Sequence, residues 1–408
     1  MAVIVQKYGG TSVGSLSRIE AVAENIIATV RQGHQVVVVL SAMAGETNRL
    51  LAMAQQLDSE PASRELDMLL ATGEQVSISL LAIALVKQGI SAISLLAHQV
   101  GIKTDNRFNA ARIENIATER LHQALAQEQV VIVAGFQGQD RDNNITTLGR
   151  GGSDTSAVAL AVALKAAETQ IFTDVDGVYS ADPRIVDKAQ RIGQLSFEAM
   201  LVMASLGAKV LQNRAVEYAF KHGMPIRVLS SFKPDQGTII LTQEQLLAET
   251  CLPTIISSIV HHQQEALVLI DDIDSVSVSE IFVVLGKENI ETDMVTFNQV
   301  SPTKKQVSFT LARDMLSSMK NALKQITTCN KFGTIHTFDN VAKLSAIGIG
   351  INSHASITGT ILSLLAAEEI DVKLISTSEI ACSVVIDESE LIKAVRLLHH
   401  KFGLDLSS

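Results

Sequence analysis

A lysine followed by a tyrosine, two glycines and two hydroxyl residues, Lys7-Tyr8-Gly9-Gly10-Thr11-Ser12, closes the apolar run VIVQKY. A lysine at the carboxyl end of a strand in an α/β sheet points into the crevice where such sheets bind ligands. The glycine N–H groups and hydroxyls beside it suit a polyphosphate, against the plain alternative of a strand-to-helix turn with a solvated lysine. A second candidate is TLGRGGSDTSA, Thr147 to Ala157. Gly149, Gly151 and Gly152 are poor material for a helix or strand interior, because glycine loses the most backbone freedom on ordering. The apolar helical run behind them makes Ser153 or Asp154 the expected N-cap. Such a loop presents unpaired N–H groups and the positive end of a helix dipole, so an anion is expected between Arg150 and Asp154. A third candidate is FTDVDGVYSADPR, Phe172 to Arg184. There Tyr179 could lie against a base and Arg184 on a phosphate, or the stretch is only a polar turn rich in Asx motifs. Ser41 and Thr47 in SAMAGETN, and Glu74 in LLATGEQVS, are polar in apolar surroundings.

Familiar phosphate and metal motifs are missing. No GxxxxGK[ST] occurs, no GxGxxG follows the first strand, and HExxH and paired CxxC are absent. DVDGV lacks the ligand spacing of a calcium loop. The net charge of −10 and the scarcity of aromatic residues (no tryptophan, three tyrosines, twelve phenylalanines) argue against nucleic acid. Cys251, Cys329 and Cys382 cannot all pair, which fits reduced thiols in the cytoplasm. No signal peptide is visible, and the unbroken apolar runs are shorter than the ~20 residues a membrane span needs, so no membrane partner is expected.

These side chains need a scaffold, and 408 residues suggest two or three domains. From Val3 to about Leu241 short β-branched runs (VIVQKY, QVVVVLS, AISLL, VVIVAGF, QIFTDV, PIRVLS) alternate with helical patterns at Ser15–Arg31, Ala62–Lys87 and Asn109–Gln127. This predicts an α/β domain with a largely parallel central sheet. After Thr242, TQEQLLAETCLP reads as a helical linker, and strands recur in TIISSIV, EALVLI and QVSFTLA. EIFVVLGKENIETDM, from Glu280, and TILSLLAAEEIDVKL, from Thr360, repeat at a constant offset: Ile281, Leu285, Glu288, Ile290 and Met294 match Ile361, Leu365, Glu368, Ile370 and Leu374. Each copy reads as strand, helix, strand and a further strand. Two small units of this kind need each other, or a partner chain, to cover their sheets.

KYGGTSV, VLSAMAGETN, ATGEQVS, GFQG, TTLGRGGSDTSAVALA, FTDVDGVYSADPR and GAKVLQNRA, in that order and spacing, resemble the aspartate kinases along the whole chain. The resemblance implies an amino-acid-kinase-type three-layer catalytic domain over 1–245. Two βαββαβ-type ACT regulatory regions follow, at 246–340 (with the linker) and 341–408. It implies ATP-dependent phosphorylation of the L-aspartate side chain, with ATP and Mg²⁺ as cofactors and no side chain named as a metal ligand. Lys7, Asp154 and Arg150 would be catalytic. Lys7, Gly9, Gly10, Thr173, Asp174, Tyr179, Asp182, Arg184, Lys209 and Val210 would surround the nucleotide. Ser41, Thr47, Glu74, Phe136, Arg150, Gly151, Gly152 and Ser153 would hold aspartate, with the glycines admitting it closely. Asp274, Asn298 and Ser376 would serve an amino-acid effector, lysine or threonine, although the turns before the ACT helices lack the usual Pro or Gly. A homodimer or higher oligomer through the ACT regions is implied. The rival readings are a kinase of another acidic amino acid and a non-catalytic amino-acid sensor.

Overall fold

The run VIVQKY forms strand β1 (Val3–Tyr8) and QVVVVL forms β2 (Gln35–Leu40), both covered on two faces. Between them α1 (Leu16–Arg31) starts at Ser15, whose Oγ accepts a hydrogen bond from Arg18 N at 3.3 Å. The structure is a computed structural model and describes residues 2–207, 210–249, 256–301, 305–327, 333–348, 351 and 356–405. The chain divides into two units. The first holds Met1–Val178, Arg191–Ser205 and Lys209–Leu252; the second holds Tyr179–Gln190, Leu206–Ala208 and Pro253–Ser408.

In the first unit, β2 leads to α2 (Glu46–Leu57), α3 (Ser63–Leu70), α4 (Thr72–Lys87) and β3 (Ala92–Leu95). A side sheet comprises β4 (Ile102–Thr104), β5 (Ile113–Ile116), β7 (Gln137–Gln139) and β8 (Ile145–Thr147), in the order β5-β4-β7-β8. The helix expected over Asn109–Gln127 is found only as α5 (Glu119–Ala126). Asn109 is left-handed at φ 66°, and Ile113–Ile116 pairs antiparallel with β4 instead, so non-local pairing overrides the local pattern. The remaining elements are β6 (Val130–Ala134), α6 (Gly152–Leu164), β9 (Glu168–Thr173), the ribbon strands β10 (Val178–Tyr179) and β11 (Arg191–Ile192), β12 (Gln194–Ser196), α7 (Phe197–Ser205), α8 (Asn213–His222), β13 (Ile226–Ser230), β14 (Thr238–Leu241) and α9 (Gln243–Glu249).

The main sheet runs β12-β14-β13-β9-β1-β2-β6-β3, and only β13 and β14 pair antiparallel. Its register is tied by side chains. Gln6 Nε2 donates to Thr29 Oγ1 and to Gln170 Oε1, both at 2.9 Å; Gln170 in turn donates to Glu168, which pairs with Arg227 at 3.0 Å. Two residues along β1, Tyr8 stacks on Phe172 of β9 with ring centroids 4.5 Å apart. A one-residue slip would break both sets of contacts.

By length and composition the helical run Ser63–Lys87 is apolar enough to cross a membrane, although no single unbroken apolar stretch shows it. Half of its most apolar window is buried, and α4 packs on α1 and β3 as a core helix does.

The second unit is built on β15 (Ser258–Asp271), a single strand where TIISSIV and EALVLI suggest two. Left-handed Gln264, at φ 61°, bends it between His262 and Glu265. It is followed by α10 (Ser275–Lys287), β16 (Asp293–Gln299), β17 (Lys305–Ala312) and α11 (Leu316–Thr327). The second copy of the repeat gives β18 (Ile335–Ile347), α12 (Ser356–Ala367), β19 (Leu374–Thr377), β20 (Ala381–Asp387) and α13 (Leu391–Lys401). All six strands join one sheet, β16-β17-β15-β18-β20-β19. The repeated apolar positions are core: Ile281, Leu285 and Ile290 are buried, as are Ile361, Leu365 and Ile370. The closing helices α11 and α13 stand where the βαββαβ-type resemblance implies a second helix, although the residue patterns alone show one helix per copy. Cys382 is buried and free, while Cys251 and Cys329 lie outside the described residues.

Candidate active site

Strand β1 delivers Lys7 to the carboxyl edge of the parallel sheet, and α6 delivers Asp154 opposite it. Lys7 Nζ and Asp154 Oδ1 are 2.6 Å apart, with side chains 12% and 10% exposed. A cavity of about 400 Å³ opens beside the pair. Of the residues expected to hold aspartate, Ser41, Thr47, Glu74 and Phe136 line it, as do Arg150, Gly151, Gly152 and Ser153. Gly10 also reaches it.

The loop that carries Arg150 differs in one respect from the sequence expectation. The N-cap of α6 is Gly151, left-handed at φ 71°, so Ser153 and Asp154 sit inside the first turn rather than capping it. Thr155 N is the first to reach an intrahelical carbonyl, Gly151 O at 3.2 Å, which leaves the N–H groups of Ser153 and Asp154 without one. The glycines serve the protein's own packing. A Cβ on Gly151 would meet Gln212, and one on Gly152 would come 2.9 Å from Leu148 Cβ and 3.0 Å from the Phe136 ring. Phe136 itself is left-handed at φ 68°, a costly state for a bulky residue, and is held by Ser156 Oγ and Leu148 N. Backbone strain of this kind, worth of order 1–3 kcal/mol, clusters at functional sites.

Glu74, on the first turn of α4, is 2% exposed. Its Oε1 accepts from Ala42 N at 3.0 Å, whereas Oε2 finds no partner among the described residues. Burial pushes its carboxyl up to about 7, against the opposing hydrogen bond from Ala42 N. Arg150 is exposed and has no ion partner among the described residues. The cavity thus offers one unengaged guanidinium, one buried carboxylate oxygen seeking a donor, a Lys–Asp pair and a helix N-terminus.

Residues that the sequence reading missed also shape the site. Asn48, Gln212 and the Met43–Ala44 turn line the cavity. Asp67 on α3 is fully buried and accepts from Thr147 N (2.7 Å), Thr147 Oγ1 (2.6 Å) and Asn109 N (3.0 Å). Burial raises its pKa, opposed by these donors. It anchors the strand that leads into the Arg150 loop. An isolated Asp in LDMLL carries no local sign of that task.

The expected nucleotide residues are distributed differently. Gly9 N reaches Phe172 O at 3.4 Å; Thr173 ends β9 next to it and Asp174 follows, with Thr173 Oγ1 donating to Asp174 Oδ1 at 3.0 Å. Val210 belongs to the same unit, and Lys209 lies outside the described residues. Tyr179, Asp182 and Arg184 fall in the segment that clusters with the second unit. There Arg184 pairs with Asp182 at 2.7 Å, and that bond holds the Asp182 carboxyl below its usual range. Two of the effector residues, Asn298 and Ser376, lie far apart within one chain. Asp274 caps α10 by accepting from Ser277 N at 2.8 Å. Asn298 and Ser376 are exposed on β16 and β19, the two opposite edges of the six-stranded sheet, about 24 Å apart by strand spacing.

Comparison with known proteins converges on one family. The amino acid kinase family model matches residues 2–230, and an ACT domain model matches 344–402. An aspartate kinase of Stutzerimonas stutzeri (strain A1501) is 48% identical over 411 aligned residues, covering 99% of this chain and 98% of that protein. The crystal structure of aspartate kinase from Synechocystis is 37% identical with a TM-score of 0.56, covering all of this chain and 70% of that one. That of E. coli aspartokinase III in complex with aspartate and ADP has a TM-score of 0.77 at 24% identity, covering 98% and 99% of the two chains, and shares the fold. The chain belongs to the aspartate kinases, a branch of the amino acid kinase family.

Proposed function

We propose that the chain transfers the γ-phosphoryl group of ATP to the side-chain carboxylate of L-aspartate, giving 4-phospho-L-aspartate and ADP at the head of lysine, threonine and methionine synthesis. The observation that carries this reading is the single cavity in which Arg150 and the unpartnered Oε2 of Glu74 face the Lys7–Asp154 pair. Arg150 would grip one substrate carboxylate with two parallel hydrogen bonds, and Glu74 would take the ammonium. Ser41, Thr47, Phe136 and Ser153 would fix the rest of the amino acid. A carboxylate oxygen is already a competent nucleophile, so no strong base is required. It attacks the γ-phosphorus as the bond to the ADP oxygen breaks, and the work lies in bringing two anions together. Lys7 would offset charge on the transferred group, with Gly10 and the first turn of α6 donating N–H groups and Gly9, its own N–H turned to Phe172 O, letting the phosphates approach. Asp154 would orient Lys7.

Nucleotide contacts would come from Thr173, Asp174, Tyr179, Asp182, Arg184, Lys209 and Val210. No cluster of three His, Cys, Asp or Glu able to cage a metal occurs among the described residues. Mg²⁺ would arrive on the phosphates, since this ion keeps its waters and takes only one or two carboxylates. Asp154 is the cleft carboxylate that would face it. When bound, the ion would neutralise phosphate charge.

We assign catalysis to 1–245 and regulation to ACT regions at 246–340 and 341–408, in a cytoplasmic homodimer or larger assembly. The exposed edge strands β16 and β19 favour a partner, because unpaired edges invite one. An effector, lysine or threonine, would then meet Asp274, Asn298 and Ser376 across copies. ADP release measured with aspartate, glutamate and N-acetylglutamate, each with and without lysine plus threonine, tests both parts. Turnover of aspartate alone, lowered by the effectors, is the expected result. Preference for another acid overturns the substrate, and an unaltered rate with lysine plus threonine removes the sensor.

Glu74 adds a pH signature. With its carboxyl near 7 in the free enzyme, the residue is increasingly protonated below that point and cannot pair with an ammonium. The kcat/KM for aspartate is therefore expected to fall as pH drops through about 7, approaching tenfold per unit. In Glu74→Gln the profile should flatten while the aspartate KM rises. A wild-type profile with no break near neutrality removes Glu74 from ammonium recognition.

A further inference from the structure

Residues Tyr179 to Gln190 lie within the match to the amino acid kinase family, yet they cluster with the C-terminal unit. The contacts show why. Ala181 and Val186 are buried in the same apolar core as Ile259, Leu391, Val395 and Leu398. Ser180 O accepts from Ile259 N at 2.7 Å, and Ser180 Oγ accepts from Gln190 N at 2.9 Å, closing the segment on itself. Ser180 Oγ also lies 2.9 Å from His399 Nε2 on α13, with the two residues 3% and 1% exposed. One turn earlier on α13, Arg396 Nε donates to Ile185 O at 2.9 Å. The polar side chains are left outside this core: Arg184, paired to Asp182, is 89% exposed.

From this geometry we infer that helix α13 positions the nucleotide-contacting segment, with His399 and Arg396 as positioning residues that act on ATP binding through Ser180 and Ile185. Burial lowers the His399 pKa and keeps the imidazole neutral, so Nε2 can accept the Ser180 hydroxyl proton while that oxygen accepts from Gln190. Two hydrogen bonds from one helix fix both ends of the turn that presents Asp182 and Arg184. Each α13 residue bonds the segment itself, at Ser180 and at Ile185. The inference rests on the nucleotide reading of Tyr179, Asp182 and Arg184.

The test is steady-state kinetics and ADP calorimetry on the full-length protein. Removing one buried hydrogen bond of this kind weakens a positioned interaction about five- to tenfold. His399→Leu is expected to raise the ATP KM and the ADP Kd by that factor, and Arg396→Ala, which removes an exposed bond, by about two- to fivefold, with the aspartate KM within about twofold of wild type. His399→Gln, which keeps an acceptor for Ser180, should restore most of the loss. Ser180→Ala combined with His399→Leu should cost no more than Ser180→Ala alone, because that variant already removes the His399 bond together with the one from Gln190 N. Arg396 is exposed, so its variant remains informative if His399→Leu folds poorly. Equal changes in both substrate KM values, or a lowered melting temperature with an unchanged ATP KM, overturn the inference. Tyr179→Ala and Arg184→Ala separate the two levels of the argument. If these leave the ATP KM unchanged, the nucleotide reading of the segment falls. If they raise it and the α13 variants do not, the inference alone falls.

Discussion

Lys7→Met is expected to lower kcat by about two orders of magnitude or more while the aspartate KM stays within a few-fold. An electrostatic contact aimed at charge that develops in the transition state is typically worth ~3 kcal/mol or more. Such a contact appears in kcat rather than in substrate binding. The side chain is placed for that role: it is 12% exposed, leaves the carboxyl edge of β1 and meets Asp154 at 2.6 Å. The same pair complicates the experiment. Removing the lysine strands a carboxylate that is 10% exposed, and breaking a buried pair on one side alone can cost ~3–5 kcal/mol of stability. The double variant Lys7→Met/Asp154→Asn separates the two effects. It should recover the melting temperature and leave kcat low. A single variant that folds and turns over near the wild-type rate removes Lys7 from the chemistry.

Arg150→Ala should raise the aspartate KM by roughly ten- to a hundredfold, the range of a charge-assisted hydrogen bond worth about 1.5–3 kcal/mol. The ATP KM should hardly move. Stability should hold as well, because the side chain is exposed and engages no ion partner among the described residues. Arg150→Lys is expected to rescue only partly, since a lysine cannot make the two parallel bonds. If calorimetry finds the aspartate affinity intact and nucleotide affinity lost, the two ligands have been placed the wrong way round.

The parts of this architecture legible in the sequence are those in which local pattern and tertiary environment agree. VVVVL reads as a strand covered on two faces and is one, and the helical pattern at Ser15–Arg31 becomes α1 with Ser15 as its N-cap. The repeat is visible because its apolar positions are core in both copies. What escaped depended on distant partners. Ile113–Ile116 becomes a strand only because β4 is there to pair with it. Helices α11 and α13 are charged amphipathic stretches that only the βαββαβ resemblance implied, although Asp387 and Glu390 stand at the spacing of a helix start before α13. Within the site, resemblance to a family picks out the polar residues that line the cavity. The resemblance does not reveal that Gly151 takes the cap of α6, or that Asp67, eighty positions before Thr147, holds the strand ahead of Arg150. Such tasks belong to burial and geometry, and nothing in the neighbouring residues marks them.

The order of strands in the main sheet also governs when this protein can fold during its own synthesis. Strand β1 is central, between β2 and β9, and Gln6 meets its partner Gln170 across 164 residues. β2 is available almost at once, but the other edge of β1 stays uncovered until β9 has been made, and β9 waits in turn for β13. At about 5–20 residues per second, that leaves VIVQKY exposed for several seconds or more on each ribosome. Closing so distant a contact is also slow in its own right, because the loop entropy is lost before the pairing is gained. The strand that carries Lys7 is therefore an edge open to wrong partners early in the life of the chain, and the polar ladder through Gln6 selects the right one late.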